Sequence, residues 1–452
     1  MAPVTENSMS SSGERETVST VTWHLIPFLF LCYIIAYIDR INVGFAGLQL
    51  QRAFGVDASR YYVIYGWGAG LFFIGYFLFE VPSNLALQRI GARLWIARIM
   101  IVWGVVASAM MFVKSPASFY VMRFLLGAAE AGFFPGVILY LTYWYRAQDR
   151  ARTVALFATA GTLAGLVNSP ISGGLLRLDG TLGLAGWQWL FLIEGIPAVV
   201  VGVLVLFVLP DKPEHARWLS AQQKNWIRAE LAREEIGPAG HPRRLRDVFT
   251  SGRIWMLCLL YLLLNIAGYG FEMWLPQIIR GFSGLSDVQI GFVNAIPYLA
   301  ATVSMVLAGR HSDRTGERRW HVAAGAFAAA AGFAASAMAG NLVLALAALI
   351  LAFAGLKAML GPFWAFGTTV LSGTAAAGGI AWINSVGNLG GFIGPAIVGQ
   401  IRTATGSYSV ALFVLSGALI LMGLLALTLR AGSVRNPVPR ADPHGRDAPG
   451  DA

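Results

Sequence analysis

The sequence predicts an all-α membrane protein of twelve transmembrane helices in two pseudo-symmetric six-helix bundles. Three observations predict it. The 452 residues are 56% hydrophobic and only 12% charged, with a mean hydropathy of +0.63, whereas a soluble chain carries about twice that charged fraction. Twelve apolar segments each approach the roughly twenty residues needed to cross a hydrocarbon core. A polar stretch near the middle divides those segments into two sets of six.

The elements follow in order. Residues 1–20, with "ENSMSSSGERETVST", are polar and Ser-rich and read as a disordered tail. They lack the charged start, apolar core and small-residue cleavage site of a signal peptide. Spans are expected at 24–48, 61–87, 94–113, 118–143, 153–176 and 189–209, forming a first bundle over 21–210. The central loop, 211–252, holds a charged amphipathic stretch at 214–235, bracketed by Pro210, Pro213, Gly237 and Pro238. It reads either as a helix at the membrane surface or as a solvated linker. The second bundle, 253–430, has spans at 254–279, 288–307, 320–338, 342–364, 378–401 and 410–429. Residues 431–452, rich in Pro, Arg and Asp, read as a second disordered tail.

The formal charge is +10, but its distribution argues against a nucleic-acid partner. About two dozen of the 33 Lys and Arg fall in the tails and the even-numbered connections. That asymmetry places both termini in the cytoplasm of a multi-pass protein of the cell membrane, the inner membrane in a Gram-negative cell. The lipid bilayer is the expected environment, with attraction to anionic lipid a secondary effect. The two cysteines, Cys32 and Cys258, lie in apolar segments and read as small core residues. All six histidines sit at span ends or in loops, so no metal site is expected. No Gly-Lys-Ser/Thr phosphate cradle is present, and neither a cofactor nor an enzymatic activity is expected. No long polar interface stands out, so a monomer is expected.

Two loops echo each other. "NLALQRIGARLW" follows the second span and "GRHSDRTGERRW" the eighth. Aligned on Arg89/Arg314, Gly91/Gly316 and Arg93/Arg318, they stand about 225 residues apart. Matching loops at the same place in each half imply parallel repeats about an axis along the membrane normal. Glycine permits the tight turn, arginines can bond helix C-terminal carbonyls, and Asp313 can hold and release a neighbouring Arg. These residues are read as gating loops.

This spacing resembles the loop signature of the major facilitator superfamily, Gly-x-x-x-Asp-Arg-x-Gly-Arg-Arg. The second copy matches at Gly309, Asp313, Arg314, Gly316 and Arg318; in the first, Gln88 stands in the Asp position and Asn84 in that of the first Gly. Further segments, "YIDRINVGFA", "RFLLGAAEAGFFPGVILYLTYWY", "WQWLFLIEGIPA" with "LPDKPEHARWL", and "SGTAAAGGIAWINSVGNLGGFIGP", resemble the anion:cation symporter family within it. The resemblance implies the major facilitator fold and movement of organic anions (sugar acids, dicarboxylates, aromatic acids), usually together with protons. It implies proton coupling and carboxylate recognition at Asp39, Arg40, Arg123 and Glu130.

Those four residues stand out on physical grounds as well. A charge at the centre of a span costs at least about 2.5–3.5 kcal/mol on insertion scales, so it faces a cavity or a partner. At 1.5 Å per residue, Arg40 lies about 12 Å below the outer end of its span, Arg123 about 8 Å and Glu130 about 18 Å. The first-span pair therefore falls in depth between the two fourth-span charges, as a buried quartet requires. Arg123 and Glu130 share a helix face, with Gly127 between them leaving room for an approaching group. Arg40, with a planar fork suited to a carboxylate, is expected to anchor the substrate, and Arg123 to hold Asp39 in the empty site. Asp39 and Glu130 could then exchange protons as the arginines change partner.

The remaining candidates are less determined. Tyr37 shares Arg40's face, and Tyr76 and Trp364 fit either a pocket wall or ordinary packing. Asn384 and Asn388 fit either substrate hydroxyls or helix–helix bonding. Lys357 is either a second anion contact favouring a dicarboxylate or a snorkelling side chain. Glu272 is either a gate or substrate contact or an exposed outer-half charge, while Glu80 and Glu194 read as packing or gating residues. The expected activity is proton-coupled symport of a small organic anion by alternating access, with protons as the coupling ion. An antiporter exporting hydrophobic compounds and a nontransporting nutrient sensor are the rivals.

Overall fold

The computed structural model describes residues 9–236, 250–370 and 374–429. The expected tails at 1–8 and 431–452, and residues 237–249 of the central loop, lie outside the described residues. Among the described residues every regular element is helical. A backbone in lipid must satisfy its own N–H and C=O groups, and a helix does so within one segment.

The first half comprises Ser11–Ala46, Ala58–Ile90, Ala92–Phe112, Pro116–Thr142, the paired helices Ala147–Ala158 and Ala160–Leu175, and Gly186–Val208. The second comprises Gly252–Glu272, Asp287–Thr315, Arg319–Ala337, Leu342–Gly367, the paired helices Thr374–Asn388 and Gly390–Thr405, and Ser409–Thr428. An even number of crossings returns the chain to the face on which it began. On the opposite face, connections are short and polar caps start the helices. Asp57 accepts from Arg60 N at 2.8 Å and Asn341 from Leu344 N at 3.0 Å. Ser115 with Ser118 and Ser286 with Gln289 form capping boxes, which satisfy otherwise orphaned N–H groups.

The first helix departs from expectation. It begins at Ser11, with Ser10 accepting from Gly13 N at 3.3 Å and Thr17 fully buried. Residues 11–20, read as disordered tail, are therefore helical. The central stretch forms a helix at Ala221–Ile236 that is neither a bare linker nor a separate surface element. Arg146, at the foot of the fourth span, lies 3.6 Å from Glu230 and over the Trp226 ring. Trp218, just before the helix, stacks on His24 and Trp144. The linker helix is thus docked on the first half.

Among the described residues six spans are interrupted, and the interruptions repeat. The first and seventh break at Asn42 and Met273, the fourth and tenth at Ala131–Gly132 and Met359, the fifth and eleventh at Thr159 and Leu389. Partners in each pair stand about 230 residues apart, close to the spacing of the two Gly–Arg loops. Repeated breaks at matching depth are what parallel repeats require.

The halves meet backbone to backbone along two seams. A Cβ on Gly66 of the second span would lie 2.5 Å from Pro395 O of the eleventh. One on Gly291 of the eighth would lie 2.5 Å from Ser169 O of the fifth. Small residues permit this approach in lipid. Polar bonds then close the face opposite the termini. Gln49 Nε2 donates to Asp287 Oδ2 at 3.0 Å, Arg280 to Leu48 O at 3.0 Å and Tyr65 OH to Met273 O at 2.6 Å. A cavity of about 80 Å³ lies between the halves, bordered by Tyr33, Tyr261 and Leu360. Chain direction places these residues on the terminal side of Tyr37, Glu272 and Lys357.

Candidate functional site

Successive residues of a helix point about 100° apart, and the charged pair of the first span is divided accordingly. Arg40 turns toward the other half and forms an ion pair with Glu130. Its Nη1 donates to Tyr269 OH at 3.2 Å, and the guanidinium lies 5.5 Å from the Phe72 ring centroid and 5.4 Å from that of Tyr76. Asp39 turns into the first half. It is fully buried and accepts from Trp103 Nε1 at 2.8 Å, with Asn42 Nδ2 at 3.5 Å.

The expected Arg123–Asp39 contact is not formed. Arg123 instead donates to the second-span carbonyls Gly68 O at 3.3 Å and Ala69 O at 3.1 Å, over the Phe72 ring. The room expected beside Gly127 is filled as well, because a Cβ there would lie 1.8 Å from Phe72 O. Gly127 serves the crossing of the second and fourth spans. The quartet thus resolves into one interfacial ion pair, Arg40–Glu130, and two charges held inside the first half.

The second half supplies another pair. Lys357 forms an ion pair with Glu272, whose Oε2 accepts from Tyr37 OH at 2.6 Å; Lys357 Nζ donates to the same Tyr37 oxygen at 3.3 Å. Lys357 does not snorkel away, and Glu272 is 3% exposed rather than an exposed outer charge. Both line the cavity, with Tyr37, Tyr261 and Asn265.

The two pairs occupy similar places in the two repeats. Tyr37 and Arg40 precede the break of the first span as Tyr269 and Glu272 precede that of the seventh; Glu130 and Lys357 precede the breaks of the fourth and tenth. All four charges lie within two residues of a break in their span. The signs are reversed between halves, and each tyrosine reaches the charge of the opposite half. Together the pairs form a charge-balanced belt at the centre of the molecule.

The other candidates fall around this belt. Tyr76 is buried against Phe72 and beneath Arg40. Trp364 packs edge-on against Tyr261. Asn384 donates to Glu80 Oε1 and Ser385 to Glu80 Oε2, both at 2.7 Å, so this asparagine bonds helix to helix across the halves. Asn388 is buried one turn further on. Tyr76, Trp364, Asn384 and Asn388 are outside the cavity's described lining, as are Asp39, Arg123 and the Arg40–Glu130 pair, which Tyr37 and Tyr269 separate from it. Glu194 accepts from Ser172 Oγ at 2.6 Å within the first half, a packing role.

In the loops, Gly91 (φ +102°) and Gly316 (φ +69°) take backbone conformations that favour glycine. Asp313 pairs with Arg318 at 2.7 Å. The first loop, lacking that acid, borrows one: Asp211 beyond the sixth span accepts from Arg93 N at 2.9 Å and pairs with its side chain at 3.5 Å. Arg89 and Arg314 are exposed.

The sequence reading missed Tyr33, Tyr261, Asn265 and Tyr269. A signal was present: Tyr261, Asn265, Tyr269 and Glu272 recur at helical spacing along one face of an otherwise apolar span.

Two six-helix repeats with broken helices around a charged centre are the architecture of a membrane transporter. Residues 29–395 match the family model of the Major Facilitator Superfamily. The chain belongs to that superfamily and is a multi-pass membrane transporter, not an enzyme. It is 47% identical over 93% of its length to a protein of Agrobacterium vitis named "Putative tartrate transporter", covering 92% of that relative. It is 42% identical over 91% of its length to a protein of Acinetobacter baumannii named "Quinolone resistance transporter", covering 94% of it. Its fold matches the xylose transporter XylE from E. coli in a partially occluded inward open conformation, with a TM-score of 0.72, 16% identity, and coverage of 92% of this chain and 98% of that one.

Proposed function

We propose that this transporter carries a small organic anion (a sugar acid, a tartrate-like dicarboxylate or an aromatic carboxylate) inward with protons, by alternating access. The observation that carries the reading is the Arg40–Glu130 ion pair, buried between the halves and linked through Tyr269 to the second half. A substrate carboxylate competes with Glu130 for the same guanidinium fork. Displaced Glu130, buried and without its cation, is too costly as an anion and is neutralised by a proton. Anion and proton therefore arrive together, and loss of one returns Glu130 to Arg40. Asp39, beside Trp103, is the second candidate proton carrier.

The terminal side carries most of the Lys and Arg, so it faces the cytoplasm, with the inner membrane the site in a Gram-negative cell. The cavity then opens toward the cytoplasm, and the protein works as a monomer.

The test is uptake into proteoliposomes, with the anion first selected by thermal shift against a panel of carboxylates. Glu130→Gln is expected to abolish accumulation driven by an acid-outside gradient while retaining exchange of anion across the membrane. Normal gradient-driven accumulation by this variant removes Glu130 from the proton path.

The relative named for quinolone resistance supports a second reading, export of hydrophobic compounds. The two central ion pairs argue for the first, because a compound without a carboxylate has nothing to exchange for Glu130 or Glu272 on their cations. Counterflow stimulated by an internal quinolone and not by carboxylates would reverse that preference.

A further inference from the structure

We propose that Lys357 is a second carboxylate-binding residue, so that the transported anion is a dianion held by Arg40 of one half and Lys357 of the other. The inference rests on the organic-anion reading above and narrows it to molecules with two carboxylates.

Four observations support it. Lys357 lies on the cavity wall and is the more accessible of the two central cations, with its side chain 15% exposed against 9% for Arg40. Its partner Glu272 is a carboxylate, as Arg40's partner Glu130 is, so each cation already holds the functional group that a ligand would bring. Tyr37 joins the two pairs: its hydroxyl touches both Glu272 and Lys357, and it stands one turn from Arg40. The cations are contributed by different halves, the first and tenth spans.

A monoanion can replace only one of the two internal carboxylates. It leaves the other cation with its resident acid and does not draw the halves together. A dianion replaces both, and its two ends then link the halves through charge-assisted bonds. Each displaced glutamate, buried without its cation, takes one proton. Two protons thus accompany one dianion, and the loaded site stays balanced.

The experiment compares two nearly isosteric probes that differ by one charge, tartrate and its half-amide tartramate. In counterflow with the wild-type protein, tartrate is expected to be preferred by about tenfold or more, the value of one charge-assisted bond. The double variant Lys357→Gln/Glu272→Gln removes both charges and leaves no unpaired ion, and it is expected to lower that preference at least about tenfold. An unchanged preference in the double variant overturns the proposal. So does equal thermal stabilisation of the wild-type protein by the two probes, a measurement that needs no variant to fold. Exchange of monocarboxylates as fast as dicarboxylates overturns the assignment of Lys357 while leaving the organic-anion reading standing. Failure of every carboxylate to exchange overturns both.

Discussion

The two halves carry the same ion pair with the signs exchanged, yet they bury it differently. In the first half the cation is on the first span and the acid on the fourth; in the second half the acid is on the seventh and the cation on the tenth. Arg40 packs over the Phe72 and Tyr76 rings, and the side chains of Arg40 and Glu130 are 9% and 0% exposed; Lys357 faces the cavity at 15%. The difference assigns different tasks. The enclosed pair is suited to linking anion to proton, and the more open one to reading the shape and charge of the anion. A duplicated framework gives equivalent positions, and reversing their signs lets one neutral site hold two cations for a ligand.

The most severe way to break this comparison is Arg40→Gln, which leaves Glu130 buried without its cation. The variant also removes both charge-assisted bonds of the guanidinium fork to the anion, each about 1.5–3 kcal/mol, so anion affinity measured by counterflow is expected to fall about a hundredfold or more. Affinity within twofold of wild type would mean that the enclosed pair does not contact the anion. Arg40→Lys keeps the charge and loses the fork, and a smaller loss of about tenfold is expected in the same measurement. Gly127→Ala probes the frame that holds Glu130. Overpacking of this kind costs about 1–3 kcal/mol, and a melting temperature lower by several degrees is expected; an unchanged one would show that the second and fourth spans can separate freely. Glu80→Gln has the smallest expected effect. It keeps an oxygen for Asn384 or Ser385 and loses a charge-assisted bond between the halves, shifting the balance of open faces about two- to fivefold. Labelling of single cysteines from each side reads that balance, and no shift would detach Glu80 from gating.

Much of the fold is legible in the sequence because lipid leaves few alternatives. Twelve apolar runs predict twelve spans, and the Gly–Arg loops predict the repeat. The helix breaks are less legible. Gly132 announces one, with φ of +87°, but no glycine or proline at Asn42 or Met359 announces the breaks there. The site is legible in depth and not in direction. Heights along the spans place the four charges in one quartet, of which Arg40 and Glu130 do meet, while the expected hold of Arg123 on Asp39 is not formed. Height says nothing of which way a side chain turns: Arg123 ends on second-span carbonyls and Asp39 on Trp103. Tyr269 and Asn265 escaped because each is unremarkable alone and becomes informative only beside Glu272 on the same face.

The docking of the Ala221–Ile236 helix has a practical consequence. Its ties through Arg146, Trp144 and His24 make it cargo of the first half. A fluorophore placed at the exposed Ala229 would therefore travel with that half. Paired with a second dye on the other half, it offers a ruler for the rocking motion, read from outside the lipid and without disturbing a single residue of the charged belt.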